Sequence, residues 1–256
     1  MKRLLFTALA ALSISLPAAA GEISEIQAEA RPYGLEPIAP VQLSGSDDRS
    51  AEFNRDFLPQ FQKIVKNRLS ERVDFSTQME GFRLDASRLF LRTESDKPIR
   101  IYFIHEGAGY HNSLGMAATP AGAPEMGEKG LIFPDASFFS PRSTRRTANV
   151  PLVAGDFVEL GTGAPGIQLD FFCIADGARM RPGQDKTTWY NNVALNPDGY
   201  QHVVAFLLPG SRYVMIGFED LWYLSGDKDY NDVVFVVDIG ETNAESLFDV
   251  ESTLPN

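Results

Sequence analysis

Apolar and polar residues follow two different rhythms along this chain. Between residues 57 and 69, Phe57, Phe61, Ile64, Val65 and Leu69 recur at helical spacing with Gln60, Lys63, Lys66 and Arg68 around them. Asp56 can cap such a helix and Pro59 suits its first turn, so the pattern predicts one N-terminal amphipathic helix over 53–75, with one face on a core. From about residue 84 the rhythm changes to short apolar or alternating runs separated by Gly, Pro, Asn and Asp. Runs at 88–91, 99–104, 130–133, 157–160, 167–174, 189–195, 202–208, 212–218 and 232–239 read as strands. Asn196-Pro197-Asp198-Gly199 has turn chemistry at each position. So many strands with no helical period between them predict a mainly β fold, an antiparallel β-sandwich or jelly-roll-like domain over 82–240. Residues 21–52 lack a sustained apolar period and read as a linker or N-terminal arm, and residues 241–256 read as an acidic tail without a core partner.

The first twenty residues have another character. Lys2 and Arg3 precede an uncharged, mostly apolar core, and Ala18-Ala19-Ala20 before Gly21 supplies a small-residue cleavage pattern, as in a secretory signal peptide. The expected product is exported, periplasmic or extracellular, with no membrane span. Its only cysteine, Cys173, sits in an apolar run and cannot form an internal bridge, so stability has to come from a core or a metal. The formal net charge of −11 becomes −13 once Lys2 and Arg3 leave with the leader. Such a balance argues against nucleic acid as a partner and favours cations wherever the acidic groups are clustered.

They are clustered between the last two predicted strands. Glu219, Asp220, Asp227, Asp229 and Asp232, with Asn231, fall within fourteen positions, offset by Lys228 alone. Carboxylates that close repel one another unless a cation sits among them, and calcium takes six to eight oxygen ligands from such a set. Asp227, Asp229 and Asn231 follow the every-second-residue spacing by which tight loops turn side-chain oxygens toward one centre. An EF-hand is excluded. Its glycine position holds Asp232, and its bidentate glutamate position holds Asp238, which a strand would carry roughly 20 Å from Asp232. The alternative is a solvated acidic turn that binds nothing.

Several phrases now occur together in order: IHEGAGYHNSLG at 104–115, LIFPDAS at 131–137, GDFVELG at 155–161, NPDGYQHV at 196–203, and the acidic loop. In this the chain resembles the bacterial domain-of-unknown-function family numbered 4114, over about 84–239. The resemblance implies an exported β-rich module, often part of larger surface or adhesin-like proteins. It also implies calcium binding through the Glu-Asp pair, here Glu219 and Asp220, and the Asp-x-Asp-x-Asn-Asp run, here Asp227, Asp229, Asn231 and Asp232. It implies no established reaction. The sequence departs from the family pattern in carrying Trp222-Tyr223-Leu224-Ser225 where a shorter Gly-rich turn is expected.

Other candidates are weaker. His105, Glu106 and His111 suggest zinc, but a strand would point His105 and Glu106 to opposite faces and the following glycines exclude an HExxH helix. Glu106 fits better as an anchor of the glycine-rich turn or an additional member of the calcium shell. His202 reads as a core histidine with a satisfied hydrogen bond. No Gly-x-Ser-x-Gly elbow is present. Glu106, Asp170 and Glu219 could converge for glycoside hydrolysis. Arg142, Arg145 and Arg146 read as a solvated basic loop or a contact for anionic glycans. Trp222 and Tyr223, beside the acidic pair, either stack on sugar rings or fold back as plugs on their own domain. The leading expectation is a secreted calcium-binding module, without catalysis, for surface, matrix or carbohydrate interaction. The alternatives are a carbohydrate-active hydrolase and a purely structural calcium-stabilised domain.

Overall fold

A computed structural model describes residues 24, 26–70, 83–86, 89–123, 125–138 and 152–251. The leader, residues 71–75 of the predicted helix, Arg88, and Arg142, Arg145 and Arg146 lie outside the described residues. Two antiparallel sheets form the domain. The strands are β1 (Val41–Gln42), β2 (Arg83–Leu84), β3 (Phe90–Leu91), β4 (Arg100–His105), β5 (Ser113–Pro120), β6 (Lys129–Phe133), β7 (Phe157–Glu159), β8 (Ile167–Ile174), β9 (Thr188–Tyr190), β10 (Val203–Leu207), β11 (Tyr213–Phe218) and β12 (Val233–Asp238). A seven-stranded sheet runs β1-β7-β4-β12-β11-β10-β2, and a five-stranded sheet runs β3-β8-β5-β6 with β9 on β8. The fold is therefore mainly β and sandwich-like, as the strand pattern predicts.

The core explains why some strands alternate and others do not. Ile101, Phe103, Val214, Ile216, Phe235 and Val237 of the larger sheet meet Leu114, Met116, Leu169, Phe171 and Cys173 of the smaller one. The outer face of the larger sheet, with Tyr102, Ile104, Met215 and Val236, is covered by Phe53, Phe61, Val65 and Leu69. Strands buried on both faces read as continuous apolar runs, as in Val233-Val234-Phe235-Val236-Val237. The outer face of the smaller sheet carries a modest cluster of Leu131, Phe172 and Ile174, with Leu35, Met126 and Tyr190 packed on it.

The helix begins earlier than its apolar stripe suggests. α1 (Asp48–Glu52) is capped by Asp47, whose carboxylate accepts the Ser50 N–H at 2.8 Å while the Ser50 hydroxyl reaches back to the Asp47 amide. A π turn over Phe53–Phe57 then leads into α2 (Leu58–Arg68). Pro59 has no N–H to offer the preceding turn, which accounts for the break there. Asp56 is thus inside the helical run, paired with Arg55, and is not the cap. Residues 26–52, expected as an arm, are packed on the domain: β1 pairs β7, and Ile38, Ala39 and Val41 are buried. The C-terminal stretch expected as a free tail forms α3 (Glu241–Glu251), where Ala244 is buried and the Asn243 carboxamide oxygen accepts the Arg92 and Thr93 N–H groups. Both segments lack a long apolar period because only a few residues in each reach the core. Among the described residues no helix is long and apolar enough to cross a membrane.

Candidate metal centre

β11 and β12 pair in register, and the Phe218–Val233 pair closes the base of the acidic loop between them. The loop is fastened from several sides. The Glu219 amide donates to the His202 carbonyl, the Asp232 amide to the Phe218 carbonyl, and the Gly107 amide, just past β4, to the Asn231 carbonyl. The Asn231 carboxamide donates to the Leu69 carbonyl at the end of α2 at 3.2 Å. Two non-glycine residues, Lys228 and Tyr230, adopt left-handed φ of 60° and 54° on either side of Asp229. Such a residue costs roughly 1–2 kcal/mol, so the bend depends on these surrounding contacts. Gly217 is required beside it, because a Cβ there would lie 2.3 Å from the Tyr230 carbonyl oxygen.

Glu219, Asp227 and Asp229 each direct a carboxylate oxygen to one place, all within 4.8 Å of one another. Asp227 is exposed, while Glu219 and Asp229 are buried. Both Glu219 oxygens are buried without a hydrogen-bond partner, and the residue is only 2% exposed. Burial first, then the charges of Asp227, Asp229 and Asp220, push its pKa up to about 7; the nearby Lys228 N–H, outside ordinary hydrogen-bond geometry, offsets this least. Gly226 makes room for it, since a Cβ there would meet Glu219 Oε1 at 2.3 Å. Asp229 accepts the Asn231 backbone and carboxamide N–H groups at 3.2 and 2.8 Å. Among the described residues no basic side chain forms an ion pair with Glu219 or Asp227. The Lys228 ammonium instead stands over the Tyr223 ring at 4.7 Å. An all-oxygen set with an unpartnered buried carboxylate suits a hard divalent cation.

The remaining predicted ligands lie behind this trio. Asp220 accepts the Asn112 carboxamide N–H at 2.6 Å, and Asp232 accepts the Asp220 backbone N–H at 2.7 Å. Burial raises the pKa of both carboxyls, that of Asp232 the more; the charge of Asp220 adds to the rise at Asp232, whereas at Asp220 the hydrogen bond from Asn112 offsets part of the rise and the charge of Asp227 adds to it. Glu106 faces this second group. Its pKa rises to about 7 through burial and the charges of Asp135 and Asp220, while it accepts the Phe138 amide at 3.1 Å. Asn231 supports Asp229 through its N–H groups.

Two supports came from outside the loop's own spacing. Asn112 precedes β5, and the Trp189 indole N–H on β9 donates to the Asp220 carbonyl at 2.7 Å. They are 108 and 31 residues away, so no local pattern connects them. His202 is the satisfied core histidine expected: Nδ1 contacts the Glu219 carbonyl, Nε2 contacts Asp198, and the ring stacks on Trp189 at 3.7 Å. The zinc candidates hold separate partners, with His111 on Asp135 and His105 beside Phe138. Asp170, a hydrolase candidate, is hydrogen-bonded by Thr119 on β5.

The loop aromatics part company. Tyr223 stacks on Tyr200 at 4.2 Å and 3°, beneath the Lys228 ammonium, so its ring is engaged within the protein. Trp222 is 48% exposed and packs edge-on against Trp189 at 5.4 Å.

No curated protein and no solved structure matches this chain. The match to a family model is narrower than the resemblance over 84–239, leaving Glu106 and Asn112 outside it, yet it includes all three converging carboxylates. Residues 164–240 are similar to the family described as a domain of unknown function (DUF4114).

Proposed function

We propose that the chain is an exported calcium-binding β-sandwich module that works by interaction with surface, matrix or carbohydrate partners and not by catalysis. The observation that carries the calcium reading is the Glu219 carboxylate, buried with neither oxygen hydrogen-bonded and facing Asp227 and Asp229. Like charges about 4 Å apart repel by about 4 kcal/mol at an effective dielectric of 20, and a divalent ion between them turns this into attraction. Oxygen-only donors in an irregular loop favour calcium over zinc, which prefers nitrogen and sulfur, and over magnesium, which demands a near-ideal octahedron. Glu219, Asp227 and Asp229 would hold the ion directly. Asp220, Asn231, Asp232 and Glu106 would shape the shell behind it. Export is supported by the basic, apolar, small-residue order of positions 1–20. A structural role for the ion has its own support, because Asn231 ties the loop to the end of α2.

Thermal melting with calcium and with excess chelator tests this. An ion that binds only the folded form adds about 2.7 kcal/mol at a hundredfold excess over its dissociation constant, or about 5–10 °C for a domain of this size. Superimposable melts at millimolar calcium and in chelator would remove the calcium reading.

A further inference from the structure

The outer face of the five-stranded sheet carries an open groove of about 620 Å³, within the range of small-ligand sites. Phe172 and Ile174 of β8, Lys129 of β6 and Tyr190 of β9 line it, and Tyr33 and Trp222 add two aromatic walls. Tyr33 is held with care. It adopts a left-handed φ of 55°, unusual for a side chain with a Cβ, and its hydroxyl accepts the Lys186 amide at 2.8 Å and donates to Asp185 at 2.7 Å. The ring is nevertheless 47% exposed. A bulky aromatic fixed at both ends of its side chain, on a strained backbone, and still turned to solvent is poorly explained by core packing alone.

The polar lining narrows the occupant. Lys186 pairs with Asp176 at 2.7 Å, which leaves Asp185 and Lys129 as opposite charges on the groove walls, so it favours an uncharged polar ligand. The Lys129 ammonium donates to the Tyr190 hydroxyl at 3.3 Å and stands over the Tyr190 and Phe172 rings, where it can also donate to a ligand hydroxyl. Thr187 and Thr188 offer further donors and acceptors. Flat apolar rings beside hydroxyl, ammonium and carboxylate groups match a pyranose, which has an apolar C–H face and a hydroxyl rim. A peptide added as a strand needs a sheet edge, whereas this surface is a sheet face. Nucleic acid conflicts with the net charge. A pair of acids for hydrolysis is also lacking, since Asp185 is the one carboxylate among the lining residues.

We propose that this groove is the recognition site of the module and binds an uncharged saccharide chain, with sugar rings stacked on Tyr33 and Trp222 and hydroxyls held by Lys129 and the Tyr190 hydroxyl. The proposal rests on the reading of the chain as an interaction module, but not on its metal. It also replaces Tyr223 as a ligand contact, since that ring is engaged by Tyr200 and Lys228.

Cellohexaose, xylohexaose, mannohexaose and chitohexaose, titrated separately into the full chain while indole fluorescence and heat are recorded, provide the test, once with calcium and once with chelator. At least one should bind and perturb the indole signal. Trp222→Ala and Tyr33→Ala should each weaken that binding about tenfold, while Trp222→Phe should keep most of it and Tyr223→Ala should leave it unchanged. Melting of each variant separates lost recognition from lost folding. If none of the four binds in either condition, or if binding survives both alanine variants, the groove assignment is overturned. Saccharide binding in a protein whose melt ignores calcium would remove the metal reading and leave the groove standing.

Discussion

Glu219 combines two features that are costly together, since a carboxylate out of water needs either hydrogen bonds or a counter-charge and here the protein supplies neither directly. Its effect on stability should therefore change sign with calcium. Glu219→Gln removes one of three mutually repelling charges. In chelator at pH 8 this should raise the melting temperature by about 2–4 °C, corresponding to about 1 kcal/mol, yet it should also abolish most of the calcium-dependent increment. A variant that melts below wild type in chelator, with its calcium increment intact, would mean that Glu219 is balanced by something other than an ion. The alternation of Asp227, Asp229 and Asn231 was legible in the sequence, as was the exclusion of Asp238. The division of the acidic residues was not. Which carboxylates face one point depends on the left-handed turns at Lys228 and Tyr230 and on a carboxamide from Asn112, neither of which has a local signal.

The elements are joined by charge as well as by core contacts. Asp238, at the end of β12 away from the acidic loop, is 1% exposed and accepts hydrogen bonds from Arg49 of α1 at 2.7 Å and from Arg212 at 2.9 Å. Arg100 of β4 similarly grips Asp47, the cap of α1, and Glu159 of β7. Asp238→Ala would remove the carboxylate shared by two largely buried guanidinium groups, leaving Arg212 with Glu52 at 3.5 Å and Arg49 with the Pro98 carbonyl at 2.7 Å, and at a cost of about 3 kcal/mol should lower the melting temperature by roughly 6–12 °C. Because a six-residue strand places it about 20 Å from the loop, the calcium increment should persist. Loss of the increment with Asp238→Ala, measured at a temperature where the variant is folded, would show that the site extends along the strand. Strong runs such as 167–174 and 232–239 were readable as strands, the second because 233–237 is an unbroken β-branched and aromatic stretch and the first because six of its eight residues are apolar. β5 was not, although it is central in its sheet, because its Gly115, Ala117, Ala118 and Pro120 carry little β signal. Its small residues have a packing reason: a Cβ on Gly115 would lie 2.2 Å from the Phe172 ring. β1, β2 and α3 escaped notice because they are held by a few tertiary contacts each.

At the scale of the whole molecule, the buried acids make stability depend on pH, and under the proposed calcium reading they tie ion binding to pH as well. Glu219 and Glu106 have folded pKa values raised to about 7, and those of Asp220 and Asp232 are raised as well. Above the unfolded values near 4, the unfolded chain has lost protons that the metal-free fold still holds, so stability falls as pH rises through 7 and, for Asp232, beyond it. His105 opposes this below its ordinary value, because burial lowers its pKa and favours the fold only where the ring is neutral. Asp47, lowered to about 2 chiefly by its hydrogen bond with Arg100, matters only in stronger acid. Between pH 5 and 8 these four carboxyls, with buried Asp170 raised in the same direction, outweigh His105, and the protein in chelator should melt higher at pH 5 than at pH 8. Calcium at the proposed site should reverse the preference, since an ion has to displace the protons that these carboxyls retain and so should bind more tightly as pH rises. Melts in chelator and in millimolar calcium across this range should therefore diverge, with a calcium increment that is small at pH 5 and largest at pH 8. Calorimetry in buffers of different ionisation enthalpy should record protons released on binding near pH 7. An increment that shrinks toward pH 8, or binding without proton release, would show that the buried acids and the calcium site are not coupled.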